Sequence, residues 1–462
     1  MLTGVREQCA VEFHGDRGGT APLTWAQQYI FDVVESLADR GSHLNFHVRV
    51  DVPDGAPVDA VLSALRRLVE RNEVLRTRFY RDGEGQPAQH VMATGSFLVD
   101  VLDIGPDAAI DAVSEEIQRL DVAFPEPDWP LRALLAVAGD TPRAVFLVVG
   151  HAAVDLAASR LLSDDLSALV AGRTPPVLGR PLDRVAFEAT PGGQGIGERA
   201  IARMRADLQS APPTLFPAAF GEARHPRYWI GRLDSLVGGV AALGVARRLG
   251  VDPPAVVLGL LAIVVGLRAG TTRPAFLVIA ENRTTPEQAR FAGQLAQFTS
   301  VAVGLADPSV SAVIREADRA LREANENGQY PPAALDDLLC RLGAERAVTL
   351  DLTTTLNYHR SEPAVPDVPD PEFQSFVDAH RSSSTFAWTS KLELENYKLY
   401  MDAWLDTELH LGMRVDTRYL PPAETEAILR GMEQSLVRLA TGDITVADVG
   451  RATGVPASVA AR

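Results

Sequence analysis

Two periodicities alternate along this chain, one of continuous or every-second apolar residues and one in which apolar residues recur every three to four positions. The first kind predicts strands at Leu44–Val52, Phe97–Leu102, Leu131–Val137 and Arg143–Val149, the last a β-branched run (RAVFLVV) typical of a buried strand. The second kind predicts a helix over Val58–Arg71, with Val61, Leu62, Leu65, Leu68 and Val69 inward, and another over Ala157–Val170, with Leu162, Leu166, Leu169 and Val170 at helical spacing. The second half repeats the mixture. Strands are predicted at Tyr228–Leu233, Ala275–Ala280, Ser300–Leu305, Val348–Asn357, Leu392–Tyr397 and Glu408–Val415, and helices at Ser235–Leu249, Pro254–Ala269 and Pro422–Ala440. Pro- and Gly-rich runs at 172–181 and 191–197 separate the halves and predict a linker. The pattern is that of an α/β (α+β) protein with two lobes of similar size and a cleft between them. The expected boundaries are 1–175 for the first lobe, 176–224 for the linker and 225–462 for the second lobe.

Composition narrows the function classes. The chain has 462 residues, 46% apolar and 23% charged, enough for two or three globular domains. A net charge of −16, with no basic stripe to offset it, argues against nucleic acid as a partner. Arginine carries nearly all the positive charge, since Lys391 and Lys398 are the only lysines. Two cysteines, Cys9 and Cys340, are too few for a disulfide framework or a Cys-rich metal site, so a reducing cytoplasm is expected. No apolar signal region follows Arg6, and the apolar run Ala255–Leu267 is too short to span a bilayer, so no membrane partner is expected.

The candidate chemistry lies at Gly150-His151-Ala152-Ala153-Val154-Asp155-Leu156, an HxxxD at the predicted strand-to-helix junction. A side chain presented there can project into a cleft. An imidazole with an ordinary pKa near 6.5 suits the removal of a proton from an amine or hydroxyl as it attacks an acyl thioester. Other features read as structural. His43 and His47 sit on one predicted strand face, but no third ligand is placed, so no metal is expected. His359 and His380 read as surface or cleft-wall residues. Gly193 to Gly197 has the letters of a dinucleotide loop but no preceding strand, and no glycine-rich loop carries the lysine of a P-loop.

Several segments, in order, resemble the motifs of condensation domains of nonribosomal peptide synthetases, within the chloramphenicol acetyltransferase-like acyltransferases that share HxxxD. Pro22-Leu-Thr-Trp-Ala-Gln27 resembles the opening PLSxAQ, and Arg71-Asn-Glu-Val-Leu-Arg-Thr-Arg-Phe79 resembles RHExLRTxF. Trp129-Pro-Leu-Arg-Ala133 matches the lead-in to HHxxxDG, which aligns with Gly150 to Leu156. Glu281-Asn-Arg283 resembles the arginine-bearing loop, and Ser390-Lys-Leu-Glu-Leu394 the late KFDLTL strand. The departures are specific. Gly150 replaces the first His of HHxxxDG and Leu156 its final Gly; Gln297-Phe-Thr-Ser-Val301 stands where GFFVNT is usual; Asn327 to Pro332 keeps little of HQDxPFE. The DFTS-like letters at 298–300 do not imply cyclodehydration, because the aspartates that heterocyclisation domains carry in place of HHxxxDG are absent.

The resemblance implies two chloramphenicol acetyltransferase-like lobes set as a V-shaped pseudo-dimer around a central tunnel. It implies His151 as the catalytic general base, Asp155 turned away from the cleft and paired with Arg283, and Gly150, Leu156, Ser300, Asn357 and His359 along the tunnel. No bound cofactor is implied; the acyl group would arrive on the phosphopantetheine of an acyl or peptidyl carrier protein, or on CoA, and pass to a small amine or alcohol. Because the resemblance fills nearly the whole chain, a free-standing condensation-type acyltransferase of natural-product biosynthesis is expected. The altered motif leaves two alternatives: a non-catalytic module that recruits a partner enzyme or carrier protein, and a cleft repurposed for another reaction such as cyclisation.

Overall fold

The computed structural model describes residues 2–37, 44–119, 129–176 and 178–455. In chain order the elements begin with β1 (Leu2–His14), β2 (Gly19–Pro22), α1 (Trp25–Leu37), β3 (Phe46–Asp51), α2 (Val58–Arg71), β4 (Thr77–Arg81) and β5 (Pro87–Val91). They continue with β6 (Thr94–Ile104), α3 (Ile110–Arg119), β7 (Leu131–Ala138), β8 (Thr141–Val149), α4 (Leu156–Val170), α5 (Pro181–Glu188) and α6 (Pro191–Gln209). Next come β9 (Tyr228–Ser235), α7 (Leu236–Leu249), α8 (Pro253–Ala269), β10 (Ala275–Ala280), α9 (Pro286–Ala289), β11 (Gln297–Ala302), α10 (Val310–Glu326) and α11 (Pro332–Arg346). The chain closes with β12 (Thr354–His359), α12 (Asp370–His380), β13 (Thr385–Leu392), β14 (Leu399–Leu405), β15 (Leu409–Asp416), α13 (Pro422–Thr441) and α14 (Val446–Thr453).

The chain forms two compact units, and they are not consecutive halves. The first comprises residues 1–198 with 281–297 and 329–334; the second takes 199–280, 298–328 and 335–462. The expected lobe 225–462 therefore gives up two segments to the first unit. Segment 281–297 is drawn there by the hydrogen bonds of Arg283 described below.

In the first unit a five-stranded sheet has the order β1-β6-β7-β8-β3, parallel only between β6 and β7, beside a small sheet β2-β5-β4. The apolar run of β8 is explained by burial on both faces. Val145, Leu147 and Val149 pack into a core with α2 and α4, while Ala144, Phe146 and Val148 pack with Val113 and Ile117 of α3. Two of the sequence motifs prove to be local struts. Thr24 and Gln27 close a reciprocal capping box, Gln27 N donating to Thr24 Oγ1 (3.2 Å) and Thr24 N to Gln27 Oε1 (2.9 Å). At the end of α2, Arg71 Nε lies 3.1 Å from Asp165 Oδ2 of α4, and Asn72 Nδ2 donates to the same oxygen at 3.1 Å. Glu73, fully buried, takes Arg17, and the fully buried Arg76 donates to the carbonyls of Arg17 (2.7 Å) and Met92 (2.6 Å).

The second unit has a seven-stranded sheet, order β11-β10-β12-β14-β15-β9-β13, with one large core against α7, α8, α10 and α13. Residues 254–266 of α8 are all buried, which accounts for its uninterrupted apolar sequence. No single helix among the described residues is long and apolar enough to cross a membrane; α7 and α8 together approach that composition but bend by 102°.

Three expectations are corrected. The stretch 176–224, read as a linker, holds α5 and α6. Its glycines serve close packing: a Cβ on Gly193 would stand 2.3 Å from the Phe187 carbonyl, and one on Gly197 would press on Pro331 and Trp25. Ala200, Met204 and Leu208, buried at four-residue spacing, supply the inward face of α6. Of the strand expected at Leu392–Tyr397 only Leu392 is extended, as the end of β13; residues 393–397 lie in the connection to β14, with Leu394 65% exposed. The strand expected at Val348–Asn357 begins only at Thr354. His43 lies outside the described residues.

Replacing Arg71 by Ala leaves the desolvated Asp165 carboxylate with the Asn72 hydrogen bond and the charge of Arg290. A loss of about 3 kcal/mol in folding free energy is expected, read as a lower urea midpoint with an unchanged slope.

Candidate functional site

The His151 loop is built by the end of β8 and the start of α4. Gly150 N donates to the Pro130 carbonyl (2.8 Å) and Ala153 N to the Gly150 carbonyl (2.9 Å), closing a tight turn. Ala153 and Val154 are fully buried in the core and anchor the far side of that turn. His151 Nδ1 lies 3.1 Å from the Val154 carbonyl. A carbonyl only accepts, so Nδ1 carries the proton and Nε2 keeps its lone pair. The edge of Phe46, on β3, meets the imidazole at 4.8 Å between ring centres and 86° between planes. Part of the residue stays accessible, yet the protein packed around the ring desolvates the charged form and holds its pKa below 6.5.

Asp155 caps α4, its Oδ1 accepting from Ala158 N at 2.8 Å. The same oxygen accepts from Arg283 Nη2 (2.7 Å), and Oδ2 accepts from Leu295 N (2.9 Å) and Ala296 N (3.1 Å). A carboxylate has about four acceptor sites, and all are committed. Both partners of the ion pair are nearly closed off, 7% of the Arg283 side chain and 5% of the Asp155 side chain remaining exposed. Arg283 Nη1 also donates to the carbonyls of Gln288 and Phe291, both at 2.8 Å, and Nη2 to that of Gly293 at 2.9 Å. Asn282 turns the chain into this position at φ 57°, a left-handed conformation asparagine tolerates, and its amide donates to the Leu295 carbonyl at 2.9 Å. Asp155 is thus a strut, with no free lone pair to serve as a base.

The remaining predicted residues fall into two groups. Gly150 opens the turn, and Leu156 is the first residue of α4. Leu156 stays half-buried and does not join the hydrophobic core. Ser300, Asn357 and His359 belong to the second unit. Ser300 has no exposed surface; its hydroxyl donates to Asp207 at 2.8 Å, and its carbonyl accepts from Arg203. That leaves it no face to present to a ligand. Asn357 and His359 share one face of β12 and both approach Asp402 of β14. Sequence reading missed Asp402 and Arg414; the alternation of Tyr400, Asp402 and Trp404 with Met401, Ala403 and Leu405 was the available signal. His380 is tied into its own helix, Nδ1 2.9 Å from the Phe376 carbonyl. His47 is exposed on β3, and partial desolvation by the protein beside it lowers its pKa. Among the described residues, Asp234, Glu408 and His410 bring three potential metal ligands within 4.8 Å. A cation already sits there: Arg232 Nε donates to Asp234 (2.6 Å), and Nη2 lies 3.0 Å from His410 Nδ1.

Because the pair is buried and every Asp155 acceptor site is filled, Asp155→Ala or Arg283→Ala should each cost about 3–5 kcal/mol of stability. The double variant should cost clearly less than the sum. His151→Ala, which removes only the Val154 contact and the Phe46 packing, should melt within a few degrees of the parent. Additive losses in a double-mutant cycle of melting curves would contradict the coupling.

Comparison with known proteins places this geometry in a family. Residues 18–178 match the Condensation domain family. The AMB antimetabolite synthetase AmbB of Pseudomonas aeruginosa is 27% identical over 365 residues, 75% of this chain and 28% of AmbB. The chain spans well under a third of the length of the curated relatives it matches. Among solved structures, the condensation domain of the Monacolin K polyketide synthase MokA superposes with TM-score 0.69 at 17% identity, covering 93% of this chain and 99% of that one. SgcC5 of Streptomyces globisporus gives 0.66 at 16% identity, covering 91% and 98%. Residues 18–178 thus match the condensation-domain family model, and the chain as a whole has the fold of condensation domains.

Proposed function

We propose that this protein is a condensation-type acyltransferase in which His151 is the general base. The observation that carries the reading is the Nδ1 contact with the Val154 carbonyl, which leaves Nε2 unprotonated and held in one orientation. In the proposed step Nε2 takes the proton of an amine or alcohol as its nitrogen or oxygen attacks a thioester carbonyl. The C–S bond then breaks, the sulfur takes the proton back from Nε2, and the thiol departs on its phosphopantetheine arm, borne by a carrier protein or CoA. That chemistry matches the systems named for the relatives, a nonribosomal peptide synthetase among them. Asp155 takes no proton in this scheme; it holds the loop. The low cysteine content supports a cytoplasmic setting.

One observation favours a second reading. Leu156 keeps a partly exposed side chain on the first turn of α4, where the resembling motif has glycine, and a side chain there narrows the approach to His151. On that reading the protein recruits an enzyme or carrier without catalysis.

Incubation with acyl-loaded carrier protein and a panel of amines and alcohols, followed by mass spectrometry, separates the two. His151→Ala is expected to slow product formation by about 10²- to 10⁴-fold; equal rates for parent and variant would remove His151 from the mechanism. The lowered pKa of His151 fixes the sign of the pH response. The base is neutral and competent throughout the range above 6.5, and kcat/KM should begin to fall only at lower pH, as the imidazole becomes protonated. A pH–rate profile with its inflection at or above 6.5 would contradict the assignment.

A further inference from the structure

Around β14 the seven-stranded sheet of the second unit is apolar on one face and carries polar side chains on the other. On β14, Met401, Ala403 and Leu405 pack into the core, while Tyr400, Asp402 and Trp404 point the other way. Parallel pairing sets Asn357 of β12 beside Asp402 and His359 beside Trp404; on β15, Arg414 stands beside Tyr400, Gly412 beside Asp402 and His410 beside Trp404. A merely solvated sheet face keeps its polar side chains out in water. Here Tyr400 is 9% and His410 6% exposed, and the Asp402 side chain only 16%.

Asp402 is the hub of this face. Its Oδ1 lies 3.2 Å from His359 Nε2 and accepts from Asn357 Nδ2 at 3.3 Å, while Oδ2 accepts from Arg414 Nε at 3.2 Å. Asn357 Nδ2 also stands 3.1 Å from His359 Nε2. A carboxylate oxygen accepts, so the ring nitrogen that faces it, Nε2, bears the proton. Nδ1 then keeps its lone pair, and it has no hydrogen-bond partner among the described residues. The His359 side chain is 38% exposed, so that lone pair belongs to an accessible ring. Gly412 keeps the floor beside Asp402 open, since even a Cβ there would make only ordinary contact, at 3.6 Å, with Asp402.

We propose that His359, oriented by Asp402 within the second unit, is a second general-base site for water or a small alcohol bound at Nδ1. The arrangement is an imidazole with one nitrogen fixed on a carboxylate and the other free, and Arg414 and Asn357 in turn fix that carboxylate. With an activated ester as the second reactant, Nδ1 takes a proton from water as its oxygen bonds to the carbonyl carbon. The C–O bond to the leaving group then breaks, and the leaving group departs as a phenolate.

p-Nitrophenyl acetate, supplied to the full-length chain, is the probe. In a His151→Ala background, which silences the first site, hydrolysis is expected to persist and to drop about ten-fold on adding His359→Ala, a modest share of a general-base effect because exposed groups contribute background. Asp402→Asn should lower the same rate with KM unchanged, and Asp402→Glu should recover part of it, a pattern that simple loss of packing would not produce. Melting curves certify that each variant is folded. Equal rates with and without His359 would overturn the proposal, as would an Asp402→Asn rate equal to the parent's. Neither result bears on His151, whose role is read in the carrier-protein assay.

Discussion

A carboxylate removed from water must be given donors for nearly all of its lone pairs, or it is strongly destabilising. Asp155 finds four, on α4, on Arg283 and on the backbone of Leu295 and Ala296. Arg283, Leu295 and Ala296 lie 128, 140 and 141 residues along the chain from Asp155, so satisfying one side chain ties segment 281–297 to the first unit. The His151 turn then has a fixed end: its last residues run directly into the capped helix. What holds the imidazole in place is therefore a neighbour that takes no part in the proposed chemistry.

Similar ties recur at other buried charges among the described residues, and arginine is the usual cation. Arg283 reaches one carboxylate and three carbonyls at once. Arg76, fully buried, spans two carbonyls from different segments. A planar fork with five donors can satisfy several acceptors from one position, which a lysine ammonium on its flexible stem cannot match. The near absence of lysine fits a structure that spends its cations as internal ties. The two lysines present also pair: Lys398 with Asp351 at 2.6 Å, and Lys391 over the Trp229 ring.

The motifs that carry the family resemblance divide by what they do. Thr24 to Gln27 and Arg71 to Arg76 act on the backbone and on helix packing, and touch no candidate base. The HxxxD segment alone presents a titratable group with a free nitrogen. Gly150 and Leu156, the departures from the motif, sit at the start of the turn and on the first turn of α4, and neither supplies a donor to Asp155.

The sequence by itself determined the alternation of elements, the strand-to-helix junction at 149–156, the buried character of β8 and α8, and the choice of His151 and Asp155, because these rest on local periodicity and on motifs a few residues long. It also named Arg283, through a resemblance. The return of 281–297 to the first unit was not legible, since it depends on hydrogen bonds between residues far apart in sequence. The glycine-rich 191–197 read as a linker because local propensity cannot reveal that Gly193 and Gly197 are small in order to let helices touch. Ser300 was placed facing a ligand from a motif, whereas its inward turn depends on Asp207 of α6. The Asp402 hub came from strand pairing across β12, β14 and β15: only the register puts Asn357, His359 and Arg414 around one carboxylate, and register is a property of the assembled sheet.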